Sequence, residues 1–365
     1  MSDEKNDYEC GSVKMGAVKK RINVDTSLIF LNFLRGYFLR KGRYASVLSI
    51  SFWRSYWSTM RPYLLFVSGS AALVGMAFIN NPNPITVVIA FIPLFFSYGL
   101  GQALTDSFQM DTDAFSSPYR PLIKGLVSRA QVLGVSLVGL SSSVLVLAYI
   151  NPAILAFGIL AVMGLITYTS LKRTWWGGPI WNSWIVALLP VMGRLVEEEI
   201  SVQEIFSLVD SRSFAFFLAV GAVFFSYANF VLMGYFKDIS ADRRTGYRTF
   251  PVVFGWKAAA VYSDGLAVLS AGLTGGALVA ISMFSFLGTA IFIFGLGVSF
   301  YAQVKIHKVR EESAAHGPVA NVVRVFILYS AAVVVALKSE WLFFLVLFYI
   351  LFELALKKRP EETQV

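Results

Sequence analysis

The sequence predicts an all-α integral membrane protein, a bundle of nine or ten transmembrane helices. Hydrophobic residues make up 56% of the 365 residues and charged residues only 15%, whereas soluble domains carry about 25% charged residues. The charges are concentrated near the N-terminus, in a few loops and at the C-terminus, so long uncharged runs remain between them. The net charge of +9 also raises nucleic acid as a partner. Because the basic residues border apolar runs, membrane orientation explains them better, and no nucleic acid is expected.

Ten apolar runs approach the length of about 20 residues that a helix needs to cross the hydrocarbon core. They are residues 62–80, 84–104, 131–150, 152–170, 176–195, 213–236, 258–282, 285–305, 321–337 and 341–356. The last two are short, and Lys338, Ser339 and Glu340 separate them. They are therefore either two spans or one span followed by an interfacial segment.

Three further segments flank the predicted transmembrane domain at residues 59–357. Residues 1–27 are a polar N-terminal arm, and residues 358–365 are a polar C-terminal tail. Residues 28–58 are aromatic and basic, which favours an interfacial amphipathic segment. A solvated linker is the alternative for this segment.

The charges in the loops predict the orientation. Basic residues precede the first span, at Arg54 and Arg61, and they follow the second, fourth, sixth and eighth spans. The intervening turns, such as 80–84, are neutral or acidic apart from arginines that flank one of them. Under the positive-inside rule the basic loops are cytoplasmic, and the N-terminus lies with them.

Two acidic stretches follow the second and sixth spans and therefore lie on the same predicted side, the cytoplasmic one. The first, residues 105–113, contains Asp106, Asp111 and Asp113, and the second, residues 237–244, contains Asp238 and Asp242. Carboxylates at a membrane boundary cost free energy unless something compensates them. Their placement on one side favours one shared site.

The spacing of these carboxylates suits a hard cation and a phosphorylated substrate. On a helix Asp238 and Asp242 lie one turn apart on one face, where both can reach Mg²⁺, and neighbouring lysines and arginines can neutralise a diphosphate. In the first stretch Thr105, Gln109 and Asp113 form an i, i+4, i+8 row. Asp111 lies on another face unless the helix has ended. The alternative is that the aspartates cap helices or pair with arginines at a solvated loop.

These residues resemble the UbiA superfamily of intramembrane prenyltransferases over about residues 55–340. Residues 59–63 resemble the family's first-helix entrance and residues 105–125 its first aspartate-rich stretch. Residues 168–172, with Asn182, are similar to its middle loop and fifth helix, and residues 235–255 to its second motif, the most specific match. The resemblance implies a UbiA-like bundle of about nine spans around a central cavity. It also implies transfer of a prenyl group from an isoprenyl diphosphate, with Mg²⁺ held between the two motifs.

The first motif departs from the family's pattern. Family members usually carry Asn, Asp and Asp in the row where this chain has Thr105, Gln109 and Asp113. Gln109 can donate a carbonyl oxygen or orient a water, but it supplies no charge. Asp111 can substitute for the missing carboxylate if the helix is locally unwound.

The resemblance assigns a role to each candidate residue. The catalytic and metal-binding candidates are Asp106, Asp113, Asp238 and Asp242, with Asp111 and Gln109 as further metal ligands. The diphosphate-binding candidates are Arg120, Lys124, Lys172, Lys237 and Arg243. The cavity or acceptor candidates are Arg61, Gln109, Tyr227 and Asn229. Snorkelling to the interface is the alternative for Arg61, and helix packing is the alternative for Tyr227 and Asn229.

The predicted function is Mg²⁺-dependent transfer of an isoprenyl group to a lipophilic, aromatic acceptor within the bilayer. One alternative is a terpene cyclase of the same fold, which acts on a prenyl diphosphate without an acceptor. The altered first motif favours that alternative. A polytopic transporter is an alternative from another class, although its site would be expected near the middle of the bilayer.

Overall fold

The computed structural model describes residues 44–196, 202–205, 211–281 and 285–358. The predicted N-terminal arm, most of the predicted interfacial segment and most of the predicted tail lie outside these ranges, so the predicted division into segments stays a prediction. The described residues form helices, turns and irregular segments, with no β-strand among them.

The described residues contain fourteen α-helices joined by short connections. In chain order they are α1 (Ile50–Met60), α2 (Leu65–Ala77), α3 (Pro84–Asp106), α4 (Met110–Ser116), α5 (Arg129–Ile150), α6 (Ile154–Lys172), α7 (Gly177–Arg194), α8 (Val202–Ile205), α9 (Ser211–Gly234), α10 (Ile239–Thr245), α11 (Phe250–Ala280), α12 (Phe286–Lys308), α13 (His316–Leu337) and α14 (Leu342–Lys357). Short 3₁₀ helices lie at Pro62–Leu64, Tyr235–Lys237, Glu312–Ala315 and Ser339–Trp341.

Eight segments among the described residues are long and apolar enough to cross a membrane. They are Pro84–Asp106, Arg129–Ile150, Ile154–Lys172, Ser211–Lys237, Phe250–Ala280, Phe286–Lys308, Glu312–Leu337 and Ser339–Lys357. A ninth results if Ile50–Met60 and Pro62–Ala77 count as one span bent by 49°. The all-α membrane fold with about nine spans is confirmed, and the two C-terminal runs are separate helices.

The predicted span at residues 176–195 corresponds to α7 and differs from the others. This helix is 18 residues long, and its composition is not apolar enough to place it among the candidate spans. Asn182, Ser183 and Arg194 account for much of its polarity. The helix packs against α2, α6 and α9, so neighbouring helices, more than lipid, surround these residues.

Four inner helices form a ring in which α2 packs on α7, α7 on α9, α9 on α13 and α13 on α2. Every residue of α2 is buried. Glycines allow α2 and α7 to approach closely, because a Cβ atom at Gly75 would collide with the carbonyl of Pro190 and one at Gly193 with the carbonyl of Ala72. Small residues serve this purpose in membrane helix packing.

The outer helices present apolar side chains outward. Ile85 on α3 is 71% exposed, Val138 on α5 68%, Phe300 on α12 72% and Phe343 on α14 82%. Such side chains are stable on an outer surface that contacts lipid, because hydrocarbon tails are as apolar as they are. The chain is therefore an integral, multi-pass membrane protein.

The two acidic stretches meet at one end of the bundle. The chain leaves α3 at Asp106 and turns into the short α4, and it leaves α9 through a 3₁₀ turn into the short α10. Helices α4 and α10 pack together, with the hydroxyl oxygens of Thr112 and Thr245 3.1 Å apart. Gly246 ends α10 in the left-handed conformation, with φ of 79°, which glycine adopts at little cost.

Candidate active site

A cavity lies between α3, α5, α6, α7 and α9 beside the two acidic stretches. With its open mouth included, its volume is about 1280 Å³. Polar side chains line one end of it: Arg61, Gln102, Thr105, Gln109, Asp113, Arg120, Tyr168, Lys172, Lys237 and Asp238. Apolar side chains line the remainder, among them Pro93, Leu94, Leu140, Val144, Leu147, Val162, Leu165, Ile185 and Leu189. The cavity is therefore polar at one end and apolar over the remainder.

Asp106 is held by two hydrogen-bond donors and by one further ion pair. The Nη2 atom of Arg61 lies 3.1 Å from Oδ1 and 3.2 Å from Oδ2, and Nε2 of Gln102 donates to Oδ1 at 2.7 Å. Nη1 of Arg120 lies 3.4 Å from Oδ1. Asp106 is 2% exposed, so these partners compensate the burial of its charge.

Arg61 reaches Asp106 from an unusual backbone conformation. Its φ of 52° and ψ of 75° are left-handed, and it is the one residue other than glycine with positive φ among the described residues. It stands at the bend between α1 and the 3₁₀ turn that begins at Pro62. A left-handed conformation costs an arginine about 1 kcal/mol or more, and the contact with Asp106 fixes it there.

Asp113 pairs with Arg120 on the following loop. Nη1 of Arg120 donates to Oδ2 of Asp113. Burial raises the pKa of Asp113 to about 6, against the opposing effect of the Arg120 charge. Burial lowers the pKa of Arg120 while Asp106 and Asp113 raise it, and the net shift is upward. Arg120 therefore stays charged beside the cavity.

Gln109 is bound to Lys172. Nζ of Lys172 donates to Oε1 of Gln109 at 2.8 Å, and Nε2 of Gln109 lies 3.5 Å from Oγ1 of Thr169. The Lys172 ammonium also lies 5.6 Å and 5.7 Å from the ring centres of Tyr235 and Tyr247. Lys172 is 7% exposed. Its ammonium is therefore fixed in the wall of the cavity, which Thr105, Gln109 and Asp113 of the first motif also line.

Asp242 in the second motif is completely buried. Its Oδ2 accepts a hydrogen bond from Oγ1 of Thr249 at 2.9 Å, and its Oδ1 has no hydrogen-bond partner among the described residues. Burial raises the pKa of Asp242 to about 7, and the nearby Lys172 ammonium lowers it. Asp238, one turn earlier, lines the cavity. An unpartnered buried carboxylate oxygen needs a ligand or a proton.

Six candidate residues are absent from the cavity lining: the buried Asp106 and Asp242, and also Asp111, Lys124, Arg243 and Asn229. Asp111 contacts Nη2 of Arg173 at 2.8 Å and the hydroxyl of Tyr247 at 3.3 Å. Lys124 and Arg243 are exposed. Asn229 is buried and accepts a hydrogen bond from Ser263 on α11, as the helix-packing alternative expects.

Tyr227 does line the cavity, together with two polar residues from other helices. Its hydroxyl donates to the hydroxyl of Tyr98 at 3.1 Å and accepts from Nδ2 of Asn182 at 3.4 Å. Tyr98 and Gln102 are not among the residues predicted from the sequence. Their spacing contains the signal, because Tyr98, Gln102 and Asp106 form an i, i+4, i+8 polar row in an apolar span.

The carboxylate oxygens of the site suit a hard divalent cation as ligands. Carboxylate oxygens with water and phosphate oxygens are the ligands that Mg²⁺ prefers. Among the described residues no three acidic, histidine or cysteine side chains converge on one metal position. The open oxygen of Asp242, with Asp238 one turn earlier, fits a cation whose other ligands come from substrate and water, whereas Asp106 accepts hydrogen bonds from Arg61 and Gln102 and pairs with Arg120.

Comparison with known proteins identifies relatives of the whole arrangement. The model of the UbiA prenyltransferase family matches residues 64–323. A digeranylgeranylglyceryl phosphate synthase of Methanothermobacter thermautotrophicus is 23% identical over 70% of this chain and 89% of its own length. The enzyme of that name from Pyrococcus furiosus is 25% identical over 55% of this chain and 69% of its own.

Solved structures share the fold. A UbiA homologue from Aeropyrum pernix superposes with a TM-score of 0.63 at 19% identity, covering 74% of this chain and 97% of its own. A UbiA homologue from Archaeoglobus fulgidus bound to DMAPP and Mg²⁺ superposes with a TM-score of 0.57 at 17% identity, covering 77% and 99%. The chain therefore belongs to the UbiA prenyltransferase family and is an intramembrane prenyltransferase.

Proposed function

We propose that the enzyme transfers an isoprenyl group from an isoprenyl diphosphate to a lipophilic acceptor, with Mg²⁺ as cofactor. The cavity is the observation that carries this proposal. Arg120, Lys172 and Asp238 line its polar end, and apolar side chains line the rest. An isoprenyl diphosphate has the same polarity, a compact polyanion on a long hydrocarbon chain.

The polar end fits the diphosphate through direct and metal-assisted contacts. The Arg120 guanidinium and the Lys172 ammonium are fixed by Asp113 and Gln109, so they are oriented before the substrate binds, and charge-assisted hydrogen bonds to phosphate are strong. Lys237 lines the same end. Asp238 and Asp242 are the residues that would hold Mg²⁺, which when bound neutralises charge on the departing diphosphate.

The apolar wall serves the organic part of the reaction. Cleavage of an allylic carbon–oxygen bond leaves positive charge on the carbon, which water would capture. Leucine, valine and isoleucine side chains exclude water from the chain-binding part of the cavity. The aromatic rings of Tyr98, Tyr168 and Tyr227 also line it, and aromatic rings attract positive charge.

The acceptor is proposed to be a lipophilic molecule with an aromatic ring, as the sequence predicts. The hydrogen-bonded group of Tyr98, Tyr227 and Asn182 in the cavity wall supports this choice, because it offers donors and acceptors to a phenolic hydroxyl. The names of the two archaeal relatives favour a second candidate, a lipid that carries glyceryl phosphate. Family membership argues against the transporter alternative.

The test is a matrix of donors and acceptors given to the purified full chain in liposomes. Isoprenyl diphosphates of several lengths are combined with aromatic acceptors, with glyceryl phosphate lipids and with no acceptor, and products are identified by mass spectrometry. Prenylated product together with acceptor-dependent diphosphate release is expected. A cyclic hydrocarbon formed without acceptor would contradict the transferase proposal and establish the cyclase alternative.

We also propose that both acidic motifs face the cytoplasm. A cysteine placed at the exposed position Arg244, after Cys10→Ser, should react with a membrane-impermeant maleimide in inside-out vesicles. Reaction in right-side-out vesicles alone would contradict the orientation.

A further inference from the structure

The first acidic motif is occupied by the protein's own cations. Asp106 accepts hydrogen bonds from Arg61 and Gln102 and pairs with Arg120. Asp113 also pairs with Arg120. To bind a divalent cation, the buried Asp106 would have to lose its hydrogen bonds to the partly buried Arg61 guanidinium and its ion pair with Arg120. Separating such partners leaves buried charge uncompensated, which is strongly unfavourable.

The middle position of the first motif is also occupied. Gln109 is neutral, and its carbonyl oxygen, the atom that would coordinate a metal, accepts from the Lys172 ammonium at 2.8 Å. A bound divalent cation at this oxygen would lie within a few ångströms of a like charge. The Lys172 ammonium and a metal ion would therefore compete for Oε1 of Gln109. The ammonium is part of the chain and already occupies that position.

The second motif differs, because it retains an open oxygen. Asp242 is completely buried, Thr249 binds one of its oxygens, and the other has no hydrogen-bond partner among the described residues. Asp238 lies one helical turn earlier and lines the cavity. A buried carboxylate oxygen left without a donor is the arrangement that a hard cation completes.

We infer that this enzyme binds one divalent cation with its diphosphate substrate, at Asp238 and Asp242, and that Arg120 and Lys172 supply the positive charge on the side of the first motif. The inference rests on the proposed function and assigns the two motifs different work. The second motif binds the metal, and the first motif positions two organic cations. Beside the neutral Gln109, Lys172 then supplies the positive charge that a metal ion would supply beside a carboxylate.

The number of bound cations tests the inference without reference to turnover. Mn²⁺ replaces Mg²⁺, and the purified full chain is titrated with Mn²⁺ in the presence of excess geranyl S-thiolodiphosphate, which resists cleavage. Free Mn²⁺ is measured from its six-line electron paramagnetic resonance signal. One bound Mn²⁺ per chain is expected, with no dipolar broadening from a second ion. Two bound ions, or none, would overturn the inference.

Isosteric variants assign the ion to its motif. Asp242→Asn is expected to weaken Mn²⁺ binding by about tenfold or more, and Asp238→Asn serves as a second variant should Asp242→Asn fail to fold. Asp106→Asn is the matched control in the first motif and is expected to keep one bound Mn²⁺. Loss of the ion in Asp106→Asn with retention in both second-motif variants would overturn the assignment.

The substitution Arg120→Gln tests the organic cation. It is expected to raise the dissociation constant of geranyl S-thiolodiphosphate by about tenfold while one Mn²⁺ remains bound. Unchanged affinity would overturn the role of Arg120.

The inference and the proposed function fail in different ways: two bound Mn²⁺ in a chain that makes prenylated product would overturn only the inference. One bound Mn²⁺ in a chain that makes no product would overturn only the function.

Discussion

Substitution of Lys172 by glutamine should weaken catalysis strongly, whereas the same substitution at Lys124 should not. Both lysines lie at the border of an apolar run and are equivalent candidates in the sequence. The structure separates them, because Lys172 is 7% exposed and lines the cavity, while Lys124 is exposed on a loop. The pair therefore forms a matched experiment.

The magnitude follows from the contacts of Lys172. Its ammonium is held 2.8 Å from Oε1 of Gln109 and is available to the diphosphate at the polar end of the cavity. A hydrogen bond that involves a charged group contributes about 1.5–3 kcal/mol, and 1.4 kcal/mol corresponds to about a factor of ten. Lys172→Gln should therefore lower kcat/KM by roughly 10- to 150-fold.

The assay compares initial rates of prenyl transfer at donor concentrations below KM for the wild type, Lys172→Gln and Lys124→Gln. Thermal unfolding in detergent verifies that each variant is folded. Lys124→Gln is expected to stay within about twofold of the wild type, as a surface change should. The reasoning is refuted if Lys172→Gln keeps more than half of the wild-type rate, or if both variants lose activity equally.

Three further predictions concern the metal, pH and the packing of the bundle. Asp238→Ala and Asp242→Ala should each abolish turnover without preventing insertion, and chelation by EDTA should do the same reversibly; full activity in both variants would refute the metal site. Mn²⁺ affinity should fall as the pH drops through 7, because burial raises the pKa of Asp242 to about 7 and a bound proton must leave before the metal binds. Titration with Mn²⁺ at several pH values measures this. An affinity that stays constant between pH 8 and pH 5.5 would contradict the prediction. Gly193→Leu should lower the unfolding free energy by about 1–3 kcal/mol, since its side chain would meet the α2 backbone; an unchanged midpoint of thermal unfolding would show that α2 and α7 can move apart.

The transmembrane fold was predictable from the sequence because hydropathy alone defines most spans. One exception is the first span, which counts only when Ile50–Met60 is joined to Pro62–Ala77 across a bend of 49°. The other is α7, whose polar residues are tolerated by packing against α2, α6 and α9. Such packing involves residues far apart in the chain, and a local window of sequence contains no record of it.

Part of the lining of the candidate site was predictable from the sequence, but the pairing of its residues was not. Thr105, Gln109 and Asp113 line one cavity as the i, i+4, i+8 row predicts, although α3 ends at Asp106 and α4 begins at Met110. The partners of Asp106 and Gln109 could not be predicted in this way. Arg61 lies 45 residues before Asp106, and Lys172 lies 63 residues after Gln109.

The most direct measurement is a structure of the enzyme with Mn²⁺ and geranyl S-thiolodiphosphate bound. The diphosphate is predicted to contact Arg120 and Lys172 at the polar end of the cavity, with Mn²⁺ on Asp238 and Asp242 and the geranyl chain along the apolar wall. A diphosphate bound away from these residues, or a metal ion coordinated by Asp106 in place of Asp242, would contradict the proposed site.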